Sequence, residues 1–267
     1  MPELPEVETI KRELSRTIVG RKIVDVVIRN PKVIKQPSPK AFRSQLKGKV
    51  IRGVLRRGKV LIWELSPHKS LTIHLRMTGQ LVYPGNGQKS RVSFIFADKA
   101  TLDFNDSRVL GELRLLSDWR SLRFIRELGP EPSELTAARF CDLLSRKGAK
   151  IKPLLMDQRV ISGIGNLYAA EALFRAKVHP QRPARTLSDK EKGLLFKEIK
   201  ATLSEAIRCG GSSMDQYVRV SGKRGNYAVR HKVYNRAGKP CPACNTPIKR
   251  VVLGGRGTYF CPRCQSG

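Results

Sequence analysis

Two Cys-x-x-Cys pairs, Cys241-Pro-Ala-Cys244 and Cys261-Pro-Arg-Cys264, stand sixteen residues apart at the end of the sequence. Four thiols at that spacing match the template for one tetrahedral, structural Zn2+ held by Cys241, Cys244, Cys261 and Cys264. The stretch between them reads as a hairpin. Ile248 to Leu253 is a strand, Gly254-Gly-Arg-Gly257 the turn and Thr258-Tyr-Phe260 the return, with the metal at the base and Arg256 at the tip. Two disulfides are the other use of four cysteines. The sequence has no signal-peptide pattern and no apolar run of membrane length, which points to a reducing compartment and favours metal. Cys141 and Cys209 are isolated and read as small buried apolar residues. From Gln216 to Gly267 there are eleven Lys and Arg and no Asp or Glu. A metal-braced finger without acids and with an arginine tip suits phosphate.

The charge of the whole chain extends that reading. Fifty-two Lys and Arg oppose 22 Asp and Glu, a net charge of +30 over 267 residues. That excess exceeds what solubility requires and implies a polyanionic partner. A membrane surface competes with nucleic acid for this role. No lipidation signal and no basic amphipathic helix with an aromatic face is present, so nucleic acid is the expected partner and no membrane is.

The chain has room for two domains and a small appendage. Val7, Ile10, Leu14 and Ile18 recur at helical spacing. Residues 20–118 then change character, with short β-rich runs at Ile23–Ile28, Val50–Leu55, Val60–Trp63, Ser70–Leu75, Val92–Phe96 and Ala100–Phe104 separated by Gly, Pro and Asn clusters. This predicts a β-sandwich or barrel with one leading helix. The proline-flanked Gly129-Pro-Glu-Pro132 marks a boundary. Beyond it the period becomes helical over Ala137–Ser145, Ile151–Met156, Asn166–Ala176 and Asp189–Cys209. Residues 214–240 read as an irregular basic loop. The expected class is α+β, with segments 1–130, 131–225 and 226–267.

Two further stretches can carry chemistry. The chain opens Met1-Pro-Glu-Leu-Pro-Glu-Val-Glu8. Initiator methionine is usually removed before a small residue such as proline, which would leave Pro2 with a free secondary amine. An α-amino group has an ordinary pKa near 8 and a helix start lowers it, so a useful fraction is neutral. Attack on an aldehyde-level carbon by such an amine gives a cationic iminium, an electron sink, and Glu3 and Glu6 lie near enough for proton transfer. Taken alone, the same residues also make an ordinary helix start, with Pro and Glu in favoured places. Likewise, Ile161-Ser-Gly-Ile-Gly-Asn-Leu-Tyr168 is either an anion cradle at a helix N-terminus or a plain connector using Gly for positive φ.

The combination of Pro-Glu-Leu-Pro-Glu-Val-Glu at 2–8, Gly-Ile-Gly-Asn at 163–166 and the four-cysteine finger with Gly-Arg-Gly-Thr at 255–258 resembles the bacterial formamidopyrimidine-DNA glycosylases, from the first residues to the last knuckle. Leu4 is similar to that branch rather than to the related endonuclease VIII branch, which usually has Gly there. The resemblance implies an N-terminal β-sandwich with a leading helix, a helix–two-turn–helix domain and a C-terminal zinc-finger hairpin. It implies Pro2 attacking C1′ of a damaged nucleotide, Glu3 protonating the sugar ring oxygen, and Lys59, Asn166 and Arg256 gripping phosphates, with His74 in the DNA-contacting set. Met77 and Arg108 match two of the three residues with which the family fills the hole left by base flipping. The third is usually Phe and here is Leu110. Residues 214–234 resemble the loop that closes over the flipped base.

The function expected from the resemblance is a bifunctional glycosylase and AP lyase. It would excise oxidised purines (8-oxoguanine, formamidopyrimidines) from duplex DNA through a Pro2 Schiff base and nick by β,δ-elimination, as a monomer in the bacterial cytoplasm near the nucleoid. Two alternatives stand beside it. One is an endonuclease VIII-like preference for oxidised pyrimidines, which Leu110 supports; the other is a non-catalytic damaged-DNA-binding protein, against which Pro2 and Glu3 speak.

Overall fold

The computed structural model describes residues 1–214 and 216–266. Its backbone divides into two compact units, one of residues 1–126 with 209–228 and the other of 127–208 with the chain from 229 on.

The first unit opens on α1 (Leu4–Thr17), whose Val7, Ile10 and Leu14 are fully buried, as the spacing predicts. Next come β1 (Ile23–Ile28), β2 (Ile34–Gln36), α2 (Pro39–Leu46), β3 (Ile51–Arg57), β4 (Val60–Leu65), β5 (Lys69–His74), β6 (Gly79–Val82), β7 (Ser90–Phe96), β8 (Thr101–Asp106), β9 (Glu112–Leu116) and the short α3 (Arg123–Arg126). The strands form a four-stranded sheet in the order β1-β7-β8-β6 and a five-stranded sheet in the order β2-β9-β5-β4-β3. Inward residues of both sheets share one core, where the rings of Trp63 from β4 and Phe94 from β7 lie 5.0 Å apart. The sandwich expected from alternation is therefore present.

Three strands and two helices, α2 and the four-residue α3, go beyond the sequence expectation. α2 buries only Phe42 and Leu46 of its eight residues, too few for a visible period. β2, β6 and β9 are each five residues or fewer, so each depends on its partner strand rather than on its own composition.

Residues 209–228 join this unit through specific contacts. Tyr217 and Val220 enter its core. Glu6 accepts the Ser212 amide at 2.9 Å, and Glu13 accepts the Val220 amide at 2.8 Å and pairs with Arg219.

The second unit holds α4 (Ala137–Ser145), α5 (Ile151–Met156), α6 (Asn166–Arg175) and α7 (Asp189–Arg208). These begin where the periodicity predicts and end within one residue of it. Phe140 of α4 stacks on Phe196 of α7 at 5.0 Å. The cysteine hairpin is β10 (Lys249–Leu253) and β11 (Arg256–Phe260). Its turn corrects the sequence reading. Leu253 pairs with Arg256, leaving Gly254 and Gly255, both at positive φ (57° and 70°), as a two-residue turn. Arg256 is thus the first residue of the returning strand, beside the apex.

Candidate active site and nucleic-acid interface

In the first unit, Pro2 and Glu3 lie buried at the start of α1, Glu3 being 5% exposed, whereas Met1 is 51% exposed. The Glu6 carboxylate reaches back to accept the Glu3 amide at 2.8 Å, which closes the helix start. Lys59, buried at 7% exposure, occupies the two-residue β3–β4 turn after Gly58, whose φ of 55° fits the first central position of a tight hairpin.

A polar chain ties α1 to that turn. Glu8 on α1 accepts Arg56 Nε at 2.9 Å, and Arg56 Nη1 donates to the Gly58 carbonyl at 3.0 Å. Arg12 holds the other Glu8 oxygen at 2.7 Å. Burial raises the Glu8 pKa, yet Arg56 and Arg12 outweigh it and hold the group below the usual carboxylate range. The side chain therefore stays charged.

His74, Met77, Arg108 and Leu110 lie at adjacent turns of the same unit. The amide of Arg76 donates to His74 Nδ1 at 3.1 Å. Burial first, then the Arg76 charge, pushes the imidazole down to about 3, so it is neutral near pH 7. With Nδ1 accepting, its proton sits on Nε2. Met77 and Leu110 are 40% and 42% exposed and Arg108 is exposed. None of the three is a core residue.

The second unit gathers Asn166 and Arg256. Gly163, at a φ of 95°, and Gly165 form the turn before α6, and Asn166 is its first residue. Asn166 Nδ2 donates to the Gly257 carbonyl at 3.1 Å. Lys152 of α5, fully buried, donates to Asn166 Oδ1 and, at 2.9 Å, to Thr258 Oγ1. The Thr258 hydroxyl donates to the Arg256 carbonyl at 3.2 Å. One ammonium thereby joins the helix turn to the hairpin. Sequence reasoning missed Lys152, which looks like any other of 52 cations. It also missed Glu171, a buried carboxylate on α6 that accepts the amides of residues 232, 233 and 234 at 2.9–3.0 Å.

The four cysteine sulfurs lie within 4.8 Å of one another, with pairs at 3.9 and 3.4 Å. Sulfurs around a tetrahedral Zn2+ stand about 3.8 Å apart for Zn–S bonds of about 2.3 Å. The amides of Ala243 and Cys264 each donate to a cysteine sulfur at 3.4 Å, as they would to thiolate. The donor set fits a structural metal.

This geometry defines a finger-bearing protein with a sandwich that buries an N-terminal Pro-Glu pair and a helical unit whose glycine turn is tied to the cysteine hairpin. Three family models match in order: the formamidopyrimidine-DNA glycosylase N-terminal domain over residues 1–113, its H2TH domain over 128–218, and a zinc finger found in FPG and IleRS over 238–267. A formamidopyrimidine-DNA glycosylase of Listeria innocua is 39% identical over 99% of this chain and all of its own. One of Bacillus subtilis is 40% identical over 100% and 99%. Among solved structures, a Lactococcus lactis FPG mutant in complex with Fapy-dG-containing DNA superposes with a TM-score of 0.92 at 34% identity, covering both chains fully. The MutM (FPG) protein of Thermus thermophilus gives 0.89 at 38% identity, over 99% of this chain and 98% of its own.

The chain belongs to the formamidopyrimidine-DNA glycosylase family, DNA-repair enzymes that act on damaged bases. Among the described residues, no helix is long and apolar enough to cross a membrane.

Proposed function

We propose that the protein is a bifunctional DNA glycosylase and AP lyase for oxidised purines, with Pro2 as nucleophile. The observation that carries this is the buried Pro2–Glu3 helix start, strapped through Glu8 and Arg56 to the Lys59 turn. With Met1 attached the Pro2 nitrogen is an amide, so this reading requires removal of Met1.

The freed amine attacks C1′ as Glu3 protonates the ring oxygen, and the base departs. The iminium then accepts the electron pair released when a C2′ proton is lost. That expels the 3′-phosphate, and a second elimination expels the 5′-phosphate. Lys59, Asn166 and Arg256 hold phosphates, His74 donates through Nε2, and Met77, Arg108 and Leu110 fill the vacated stack. A Zn2+ on the four cysteines stabilises the hairpin and takes no part in the chemistry. The 163–166 turn acts as an anion cradle, and residues 214–234 close over the flipped base, a segment that includes Asp215, outside the described residues. The partner is duplex DNA with oxidised bases or abasic sites, met as a monomer in the cytoplasm.

The alternative of oxidised pyrimidines rests on Leu110, an aliphatic wedge that stacks less well than Phe on the neighbouring step. Single-lesion duplexes test both readings. Faster excision of 8-oxoguanine and formamidopyrimidines than of thymine glycol, with phosphate on both ends of the gap, is expected. The reverse ranking selects the pyrimidine reading, and binding without incision selects a non-catalytic one.

A further inference from the structure

The two turns that carry the wedge residues are bound to one buried carboxylate. Asp106, 1% exposed, ends β8 opposite Gly79, where β6 begins. One of its oxygens accepts the Thr78 hydroxyl, and the other accepts the Gly111 amide at 2.6 Å. The Thr78 Oγ1 also accepts the Arg108 amide at 3.3 Å. Thr78 adjoins Met77, and Gly111 adjoins Leu110. The Asp106 carbonyl is itself held by Arg91 Nε at 2.8 Å.

Neither turn is relaxed. Arg76 and Val109 sit at φ of 52° and 56°. The left-handed region is unusual for any side chain and a true outlier for a β-branched one, so such residues persist where the surroundings over-determine them. Gly79 and Gly111 leave no slack. A Cβ would come 2.5 Å from the Leu75 carbonyl at the first and 2.5 Å from the Phe104 ring at the second. The exposed tips, Met77 at 40% and Leu110 at 42%, therefore project from turns with little freedom of their own.

We propose that Thr78 and Asp106 are positioning residues that couple the Met77 turn to the Arg108–Leu110 turn, so that the two wedges enter the base stack as one rigid body. This rests on the wedge assignment in the proposed function. An unheld pair of turns would have to order at the moment of insertion, and fixing them beforehand removes that cost. The Thr78 hydroxyl is the joint, because it donates to Asp106 and accepts from Arg108 at once.

The test measures base extrusion in stopped flow with 2-aminopurine beside the lesion, together with incision of an abasic duplex. Thr78→Val should slow extrusion about tenfold, the scale of one hydrogen bond lost from a shared network. The ratio of lesion excision to abasic incision should fall by the same factor, and Thr78→Ser should restore both. Combining Thr78→Val with Leu110→Ala should cost less than the product of the two single effects. Extrusion by Thr78→Val at the wild-type rate would overturn the coupling. So would equal losses on both substrates with a lowered Tm, or multiplicative behaviour of the double variant. The fluorescence signal needs no bond cleavage. A Thr78-dependent signal without excision would therefore sink the glycosylase reading and leave the coupling standing.

Discussion

The two units organise cationic sites by opposite means. In the first, carboxylates hold the functional turns. Glu8 fixes Arg56 behind the Lys59 turn, Asp106 accepts from Thr78 and from the Gly111 amide, and Glu112 pairs with Arg76 and Arg114 beside His74. In the second, the grip around Asn166 and Arg256 is held by a buried ammonium, an amide, a hydroxyl and the cysteine cluster. Glu171 accepts the amides of residues 232, 233 and 234 there. On the proposed reading, the difference is one of how a phosphate-facing surface would be kept rigid without weakening its charge. On that reading the acids of the first unit lie behind the working face, and in the second unit a metal on the four cysteines would add rigidity.

The largest expected effect follows from the metal. Cys244→Ser should release zinc, unfold residues 241–264 and abolish DNA binding, while the sandwich keeps its own melting transition. So small a module has too little core to stand without metal. Unchanged zinc content by atomic absorption would erase the contrast between the units.

Lys152→Met comes next. It leaves Asn166 Oδ1 and the Thr258 hydroxyl without their cation, at a cost of about 1–3 kcal/mol. Duplex affinity should drop about tenfold with zinc content intact. Wild-type affinity by fluorescence anisotropy would show that the grip does not depend on the buried ammonium.

Acid should separate two kinds of group within the first unit. Glu8 and Glu112 are held below their ordinary pKa, so their contribution is present above about 4.5 and is lost as pH falls through the depressed values. His74 is depressed to about 3 from an ordinary 6.5, so its folded state is favoured fully above 6.5 and loses that advantage as pH falls from 6.5 toward 3. The Tm of His74→Asn should therefore fall less between pH 7 and pH 5 than that of the wild type. Parallel curves would mean that His74 titrates normally.

How much of this is legible in the sequence depends on the range of the signal. The cysteine pairs, α1 and the long strands are local patterns of spacing or alternation, and they stand where the sequence predicts. Arg56–Glu8 and Lys152–Thr258 join residues 48 and 106 positions apart, and such pairs leave no periodic trace. Pro2 and Glu3 are readable only through their company. By themselves they are a helix start, and their burial and the strap behind Lys59 appear only in three dimensions. The hairpin turn departs from its sequence reading because Arg256 and Gly257 look like turn residues, although two glycines already satisfy both left-handed positions.

The smallest effect sharpens the comparison from the phosphate side. Arg256→Ala should weaken binding equally on all sequences and lower the slope of log K against log salt by about one. An unchanged slope would place Arg256 away from phosphate.

The measurement that bears most directly on the account is borohydride trapping on an abasic duplex, followed by mass spectrometry of the adduct peptide. It compares protein with a free Pro2 amine and protein extended by one residue ahead of it. The account predicts a covalent adduct on Pro2 in the first and none in the second, with duplex affinity retained because phosphate contacts lie elsewhere. Trapping and strand cleavage by the extended protein at the wild-type rate would contradict it and move the nucleophile to a lysine, with Lys59 the first to examine.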